Sequence, residues 1–152
     1  GDGYMGGDSG PVEFAEQVGW VREGQAEAAV QRPFELSIYQ PTFAWEGEDA
    51  WPLVRDHRHY MSWKYEDMDE ARGRAGDAPE PPSLGRESEA EIRRHALVGT
   101  PDQVAEGIRA YAEAAGPDLH FVAQLYWPGM PYERQREAMR VFAERVAPLL
   151  RS

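Results

Sequence analysis

The stretch Leu97–Pro131, LVGTPDQVAEGIRAYAEAAGPDLHFVAQLYWPGMP, reads as a helix, a strand and a turn in direct succession. Thr100 stands before Pro101, with Gln103 where the reciprocal partner of a capping box belongs, so the spacing predicts a helix starting at Pro101. Val104, Ile108, Tyr111 and Ala115 recur at three- and four-residue steps, the stripe of a helix with one buried face, and Asp102, Glu106, Arg109 and Glu113 fall on the other side. Gly116 closes the helix, because only a residue without Cβ takes the left-handed end position freely. From Leu119 to Trp127 no breaker appears and Phe, Val, Leu, Tyr and Trp alternate without charge, which predicts a strand buried on both faces. Trp127-Pro128-Gly129-Met130-Pro131 is a turn, and a further helix is expected from Tyr132 to Leu150 with Met139, Phe142, Val146 and Leu149 inward.

Helix, buried strand, short Gly/Pro loop and helix is the repeating unit of a parallel α/β sheet or barrel. Working outward, Pro11–Val30 reads as a helix with Val12, Phe14, Val18 and Val21 along its stripe, preceded by a Gly-rich turn in which Ser9 or Asp8 could cap it. Arg32-Pro33 breaks it, and Phe34–Tyr39 alternates with a period of two, placing Phe34, Leu36 and Ile38 beneath helices and Ser37 and Tyr39 on the opposite face. By the same alternation Phe121, Ala123 and Leu125 face the helices, and His120, Val122, Gln124 and Tyr126 face inward. Gln40–Gly47 reads as a loop and Glu48–Ala71 as a long helix whose Trp51, Tyr60, Trp63 and Tyr65 cannot share one face, so some of them are expected to meet a partner surface or a substrate pocket. Residues 72–86, with three prolines and three glycines, have the composition of a flexible linker or insertion that does not pack, and Glu87–Leu97 of a short helix.

The run Val98-Gly99-Thr100-Pro101-Asp102-Gln103-Val104-Ala105, the Gly116-x-Asp118 turn, Pro128-Gly129-Met130-Pro131 and Phe142-Ala143-Glu144-x-Val146-x-Pro148, in this order and at these intervals, resemble the C-terminal end of the luciferase-like flavin-dependent monooxygenases. Asp2-Gly3-Tyr4 is similar to the tail of a short barrel strand in that family. The resemblance implies an α/β fold, a partial TIM-type (β/α)8 barrel holding the last two to three parallel strands with their helices. It also implies an oxidoreductase using FMN or a deazaflavin coenzyme on a small-molecule substrate. It covers the two ends of the chain well and residues 45–86 poorly, and the segment that grips the flavin phosphate in the family has no counterpart here.

Length agrees with a part of a barrel. The chain has 152 residues, against at least about 200 for a complete TIM barrel. It begins Gly1-Asp2-Gly3-Tyr4 and its first methionine is Met5, so the expectation is a single incomplete domain, residues 1–152, lacking an N-terminal barrel segment. Two or three barrel strands alone leave open edges and a bare inner face, so the chain is expected either to self-associate or to sit beside that segment.

Composition excludes other classes. A net charge of -11 argues against nucleic acid and against an anionic membrane surface, both of which attract clustered Lys and Arg. No apolar run of transmembrane length and no leader pattern is present. With no Cys, thiolate chemistry is excluded and a cytoplasmic setting is expected. Lys64 is the only lysine among sixteen basic residues, a composition of GC-rich bacterial genomes.

Few groups are arranged for chemistry. His57 and His59, two apart on a helix, point about 200° apart and cannot hold one metal ion, so no metal site is expected. His95 and His120 have no partner in sequence, and the acidic groups at Asp67–Glu70 and Glu87–Glu91 read as solvated helix faces. No Ser/His/Asp order or paired carboxylate stands out. Candidates for cofactor or substrate contact are the residues near the C-terminal ends of the strands, Tyr4, Met5, Tyr39, Gln40, Gln124, Tyr126 and Trp127, because barrel enzymes keep their sites there. Tyr and Gln donate hydrogen bonds without adding charge, which suits a pocket built around a redox cofactor. A non-catalytic α/β binding or assembly subunit, interacting through its aromatic helix, is the alternative.

Overall fold

The computed structural model describes residues 3–29, 34–47, 49–71, 80–116 and 118–151. Among these residues, four parallel strands are flanked by five α-helices. The order is β1 (Gly3–Gly7), α1 (Pro11–Glu27), β2 (Glu35–Ala44), α2 (Trp51–Ala71), α3 (Arg86–Arg94), β3 (Leu97–Gly99), α4 (Pro101–Ala115), β4 (Leu119–Gln124) and α5 (Tyr132–Val141). A π turn, Phe142–Val146, and a 3-10 turn, Ala147–Leu150, finish the described chain.

The central strand is β2. It pairs in parallel with β1 from Glu35 to Tyr39 and with β4 from Leu36 to Pro41. Its far end, Thr42–Ala44, pairs with β3. Strand β2 therefore runs through a region whose sequence reads as a loop after Tyr39. Pro41, the residue that discourages a strand there, falls after β1 has ended and before β3 begins. Proline is tolerated at such changeovers because no ladder bond from its nitrogen is demanded.

Alternation along β2 divides the sheet as its period predicts. Leu36 and Ile38 pack under α1 and α4 with Phe14, Val18, Tyr111 and Ala115. The helix α4 carries the expected capping box, with Gln103 N–H donating to Thr100 Oγ1 at 3.3 Å and Thr100 N–H to Gln103 Oε1 at 2.9 Å. Gly116 at φ +101 ends it. A second core gathers Ala44, Val104, Ala105, Ile108, Val141 and Val146, and a third Phe43, Trp51, Val54, Trp127, Met130 and Ala138.

Several sequence expectations shift. In α1, Val12 is exposed and only Phe14 and Val18 are buried. Its N-cap is Gly10 with no side-chain bond, so neither Ser9 nor Asp8 caps it. Strand β4 ends at Gln124 rather than Trp127, because Trp127 turns into the third core. The last helix stops being α-helical at Val141. The wider π turn brings Val141 and Val146, five apart, to the same buried side, while Met139 is exposed. Residues 72–79 lie outside the described residues. Pro82 touches α2, where the His59 ring lies 2.7 Å from its carbonyl. No helix among the described residues is long and apolar enough to cross a membrane.

Candidate functional site

Strand ends and one helix face make a groove. On α2, Arg58, Met61, Ser62 and Tyr65 follow the three- and four-residue steps that bring side chains onto one face. That face stands over the C-terminal ends of β1 and β4 and the middle of β2, and Asp8, Tyr39, Pro41, Glu66 and Gln124 complete a cavity of about 210 Å³. Met61, Tyr65 and Gln124 also border a more apolar pocket of about 300 Å³, extended by Tyr60, Lys64, Met68, Tyr126 and Pro128. The two run together along α2.

The floor is set by β1 and β2. A Cβ on Gly7 would lie 2.1 Å from Cε1 of Tyr39, so the tyrosine ring lies across the glycine. The turn that follows is held from below, since the Ser9 carbonyl accepts from Gln40 Nε2 at 2.5 Å and from the Tyr111 hydroxyl at 2.7 Å. Burial, helped by Glu13 and Asp8, pushes the Tyr111 phenol well above its ordinary range. Asp8 sits at φ 50, a conformation that Asn, Asp and Gly tolerate better than other residues.

Arg58 anchors the polar end. It is 3% exposed, donating through Nη2 to Asp8 Oδ1 at 2.5 Å and through Nη1 to Ser62 Oγ at 2.9 Å. Its Nε is buried without a partner among the described residues. Asp8 itself is half exposed, so one end of this ion pair faces the groove and the other the interior. Beyond Gln124, the His57 ring, with Nδ1 2.9 Å from the Pro128 carbonyl, holds the Pro128–Gly129 turn against α2.

The sequence-chosen residues separate into two groups. Tyr39 and Gln124 meet in the groove, and Tyr126, 60% exposed, lines the apolar pocket. Tyr4, Gln40 and Trp127 lie elsewhere. Tyr4 faces α1, its hydroxyl donating to Gln17 Oε1 at 2.8 Å. Gln40 is fully buried, bound to the Ser9 carbonyl. Trp127 is buried with its indole N–H on the Thr42 carbonyl at 3.1 Å. The physical reason is the two-residue period: Gln40 shares its phase with Leu36 and Ile38, so Tyr39 and Gln40 cannot both face inward. Met5 is exposed but does not border the groove. Tyr65, one of the four aromatics of the long helix, lines the groove, and Asp8, Arg58, Met61 and Ser62 join it without having stood out in the sequence, although the helical spacing of the last three is readable. No group of His, Cys, Asp and Glu fit for a metal ion occurs among the described residues.

Against a flavin the fit is partial. Tyr39, Met61 and Tyr65 offer a flat apolar wall and Gln124 an amide for ring heteroatoms, whereas the two cations on the groove are already engaged, Arg58 by Asp8 and Lys64 by Asp67 at 2.6 Å. The groove suits the ring system and supplies no free cation for its phosphate.

No family model matches the chain, and no curated protein matches it by sequence. Among solved structures it is similar to the monooxygenase RslO1 from Streptomyces bottropensis, with 19% identity over 96% of this chain and 41% of the other, TM-score 0.56. It is also similar to the coenzyme F420-dependent tetrahydromethanopterin reductase from Methanopyrus kandleri, with 16% identity over 97% of this chain and 45% of the other, TM-score 0.60. A third is the riboflavin lyase RcaE with modified FMN and riboflavin as substrate, with 20% identity over 99% of this chain and 38% of the other, TM-score 0.53. The chain spans less than half the length of each. The likeness shows the fold: a parallel α/β sheet with its helices, arranged as part of a TIM-type barrel.

Proposed function

We propose that this chain is the C-terminal part of a luciferase-like, flavin- or deazaflavin-dependent oxidoreductase and forms one wall of its cofactor and substrate pocket. The observation that carries the reading is that Tyr39 and Gln124, on adjacent parallel strands, line one groove beside the C-terminal ends of β1 and β4, the side on which barrels of this kind keep their chemistry. When bound, the cofactor, FMN or a deazaflavin, supplies the transfer of electrons or hydride. The chain's own residues position and shield. Tyr39 and Tyr65 present ring faces, Gln124 offers a donor and an acceptor, and α2 with Met61 keeps water from one side of the pocket.

Strands β1 and β4 each pair with one neighbour among the described residues, β2. Their other edges fit further barrel strands, supplied by a preceding segment of the same protein or by self-association. A chain without cysteine suits a reducing cytoplasm.

The alternative, a non-catalytic assembly subunit, is favoured by one observation: Tyr60, Tyr65 and Met68 are exposed on α2 while Trp51 and Trp63 are buried. Titration of FMN and of coenzyme F420 into the protein expressed from its whole reading frame separates the two. Quenching of either chromophore supports the oxidoreductase reading; absence of quenching by both favours the assembly subunit.

A further inference from the structure

We infer that the groove along α2 binds a neutral or cationic amphipathic small molecule, an apolar ring carrying an amine or hydroxyl head, and disfavours carboxylates. As a statement of substrate class it rests on the oxidoreductase reading, although the binding itself requires no cofactor.

The apolar half dictates the body of the ligand. Tyr60, Met61, Met68 and Tyr126 surround its pocket of about 300 Å³, within reach of the small end of organic-ligand sites. Aromatic rings and thioethers favour flat, polarizable partners through stacking and sulfur–ring contact.

The polar half dictates the head. Arg58 is neutralised by Asp8, and Lys64, which borders the apolar half, is paired with Asp67. Glu66, exposed on the same groove, has no ion pair among the described residues. One carboxylate is therefore in excess where the ligand head arrives. An entering carboxylate meets that charge and must compete with Asp8 for a guanidinium that is already buried and bonded. An amine or hydroxyl instead finds acceptors on Asp8, which is half exposed, and on Glu66. Tyr39 and Tyr65 add ring faces that favour a cation. The chain's net charge of -11 reinforces the same preference at longer range.

The test uses naphthylmethylamine, naphthylmethanol and naphthoate, which share one apolar body and differ in the head, titrated calorimetrically into the protein without flavin at low salt. The amine is expected to bind about tenfold or more tightly than the carboxylate, with the alcohol between, and added salt should narrow the gap. Glu66→Gln, on the surface and neutral for folding, should shrink the preference to about threefold or less. Asp8→Asn, which releases the Arg58 charge, should turn the preference toward naphthoate. Equal or tighter binding of naphthoate to the unaltered protein, no binding of any of the compounds, or a preference unmoved by both substitutions would overturn the inference. A protein that binds flavin but fails this test loses only the substrate class, and one that passes it without binding flavin loses only the oxidoreductase reading.

Discussion

Arg58 on α2 donates to Asp8 at 2.5 Å, across a sequence separation of fifty residues, and so ties the long helix to the turn that ends β1. The guanidinium is almost wholly buried and the carboxylate half exposed. The pair therefore has two consequences, one for stability and one for the shape of the groove.

Removing the carboxylate leaves a buried charge. Breaking a fully buried pair costs about 3–5 kcal/mol, and the exposure of Asp8 lowers this, so Asp8→Asn should cost about 1–3 kcal/mol in urea unfolding. Asn keeps the φ 50 backbone comfortable. Asp8→Ala loses that tolerance as well and should unfold at lower urea than Asp8→Asn. Restoring balance with Asp8→Asn and Arg58→Met together should recover part of the loss; a double variant less stable than Asp8→Asn would contradict this account of the pair.

Two neighbouring glycines should answer differently to alanine. At Gly6 the new Cβ would meet Phe14 at 2.9 Å, and Phe14 is fully buried, so Gly6→Ala should cost about 1–3 kcal/mol by overpacking. At Gly7 it would meet the Tyr39 ring, which is 40% exposed and free to swing out. Gly7→Ala should therefore leave the melting temperature nearly unchanged and weaken binding in the groove. Equal thermal losses in both would show that the Tyr39 ring is not displaceable.

Gln40 and Gln124 provide a paired comparison. Gln40→Leu removes a buried amide whose Oε1 lacks a partner among the described residues, and the Ser9 carbonyl keeps the Tyr111 hydroxyl. Its stability change should stay within about 1 kcal/mol and ligand affinity should not move. Gln124→Leu, on the groove, should lower affinity with little change in folding. A loss of affinity from Gln40→Leu would place that side chain in the wrong layer.

Tyr111 makes stability depend on alkaline pH. Its phenol is raised in the folded protein and ordinary, near pH 10, in the unfolded chain. The unfolded state thus ionises first, and the stabilisation present below about pH 10 is lost as pH rises beyond it. Unfolding monitored between pH 8 and 11 should show stability falling from about pH 10, and Tyr111→Phe should flatten that fall. An identical slope in the variant would assign the effect elsewhere.

Much of the scaffold was legible because local signals agreed with one another. Thr100, Pro101, Gln103 and Gly116 mark both ends of α4, and its stripe of Val104, Ile108, Tyr111 and Ala115 is buried throughout. Strand alternation correctly put Ile38 and Phe121 under the helices. Where the reading failed, tertiary contacts overrode local chemistry: Pro41 entered a strand because its neighbours change there, and the π turn after Val141 reset a helical phase that sequence treats as continuous. Of the site, Tyr39 and Gln124 could be seen from strand period alone. Arg58 could not be chosen, because its partner Asp8 lies on a turn fifty residues away and no local pattern joins them.

The central claim is that Tyr39 and Gln124 belong to the wall of a flavin or deazaflavin pocket, and equilibrium titration tests it most directly. FMN and coenzyme F420 should each be titrated into the protein made from its whole reading frame, read by chromophore fluorescence, beside the Tyr39→Ala and Gln124→Leu variants. The account predicts saturable quenching of one cofactor, weakened about three- to tenfold by each substitution, as for loss of a stacking or hydrogen-bond contact. Quenching by neither cofactor, or binding indifferent to both substitutions, would contradict it.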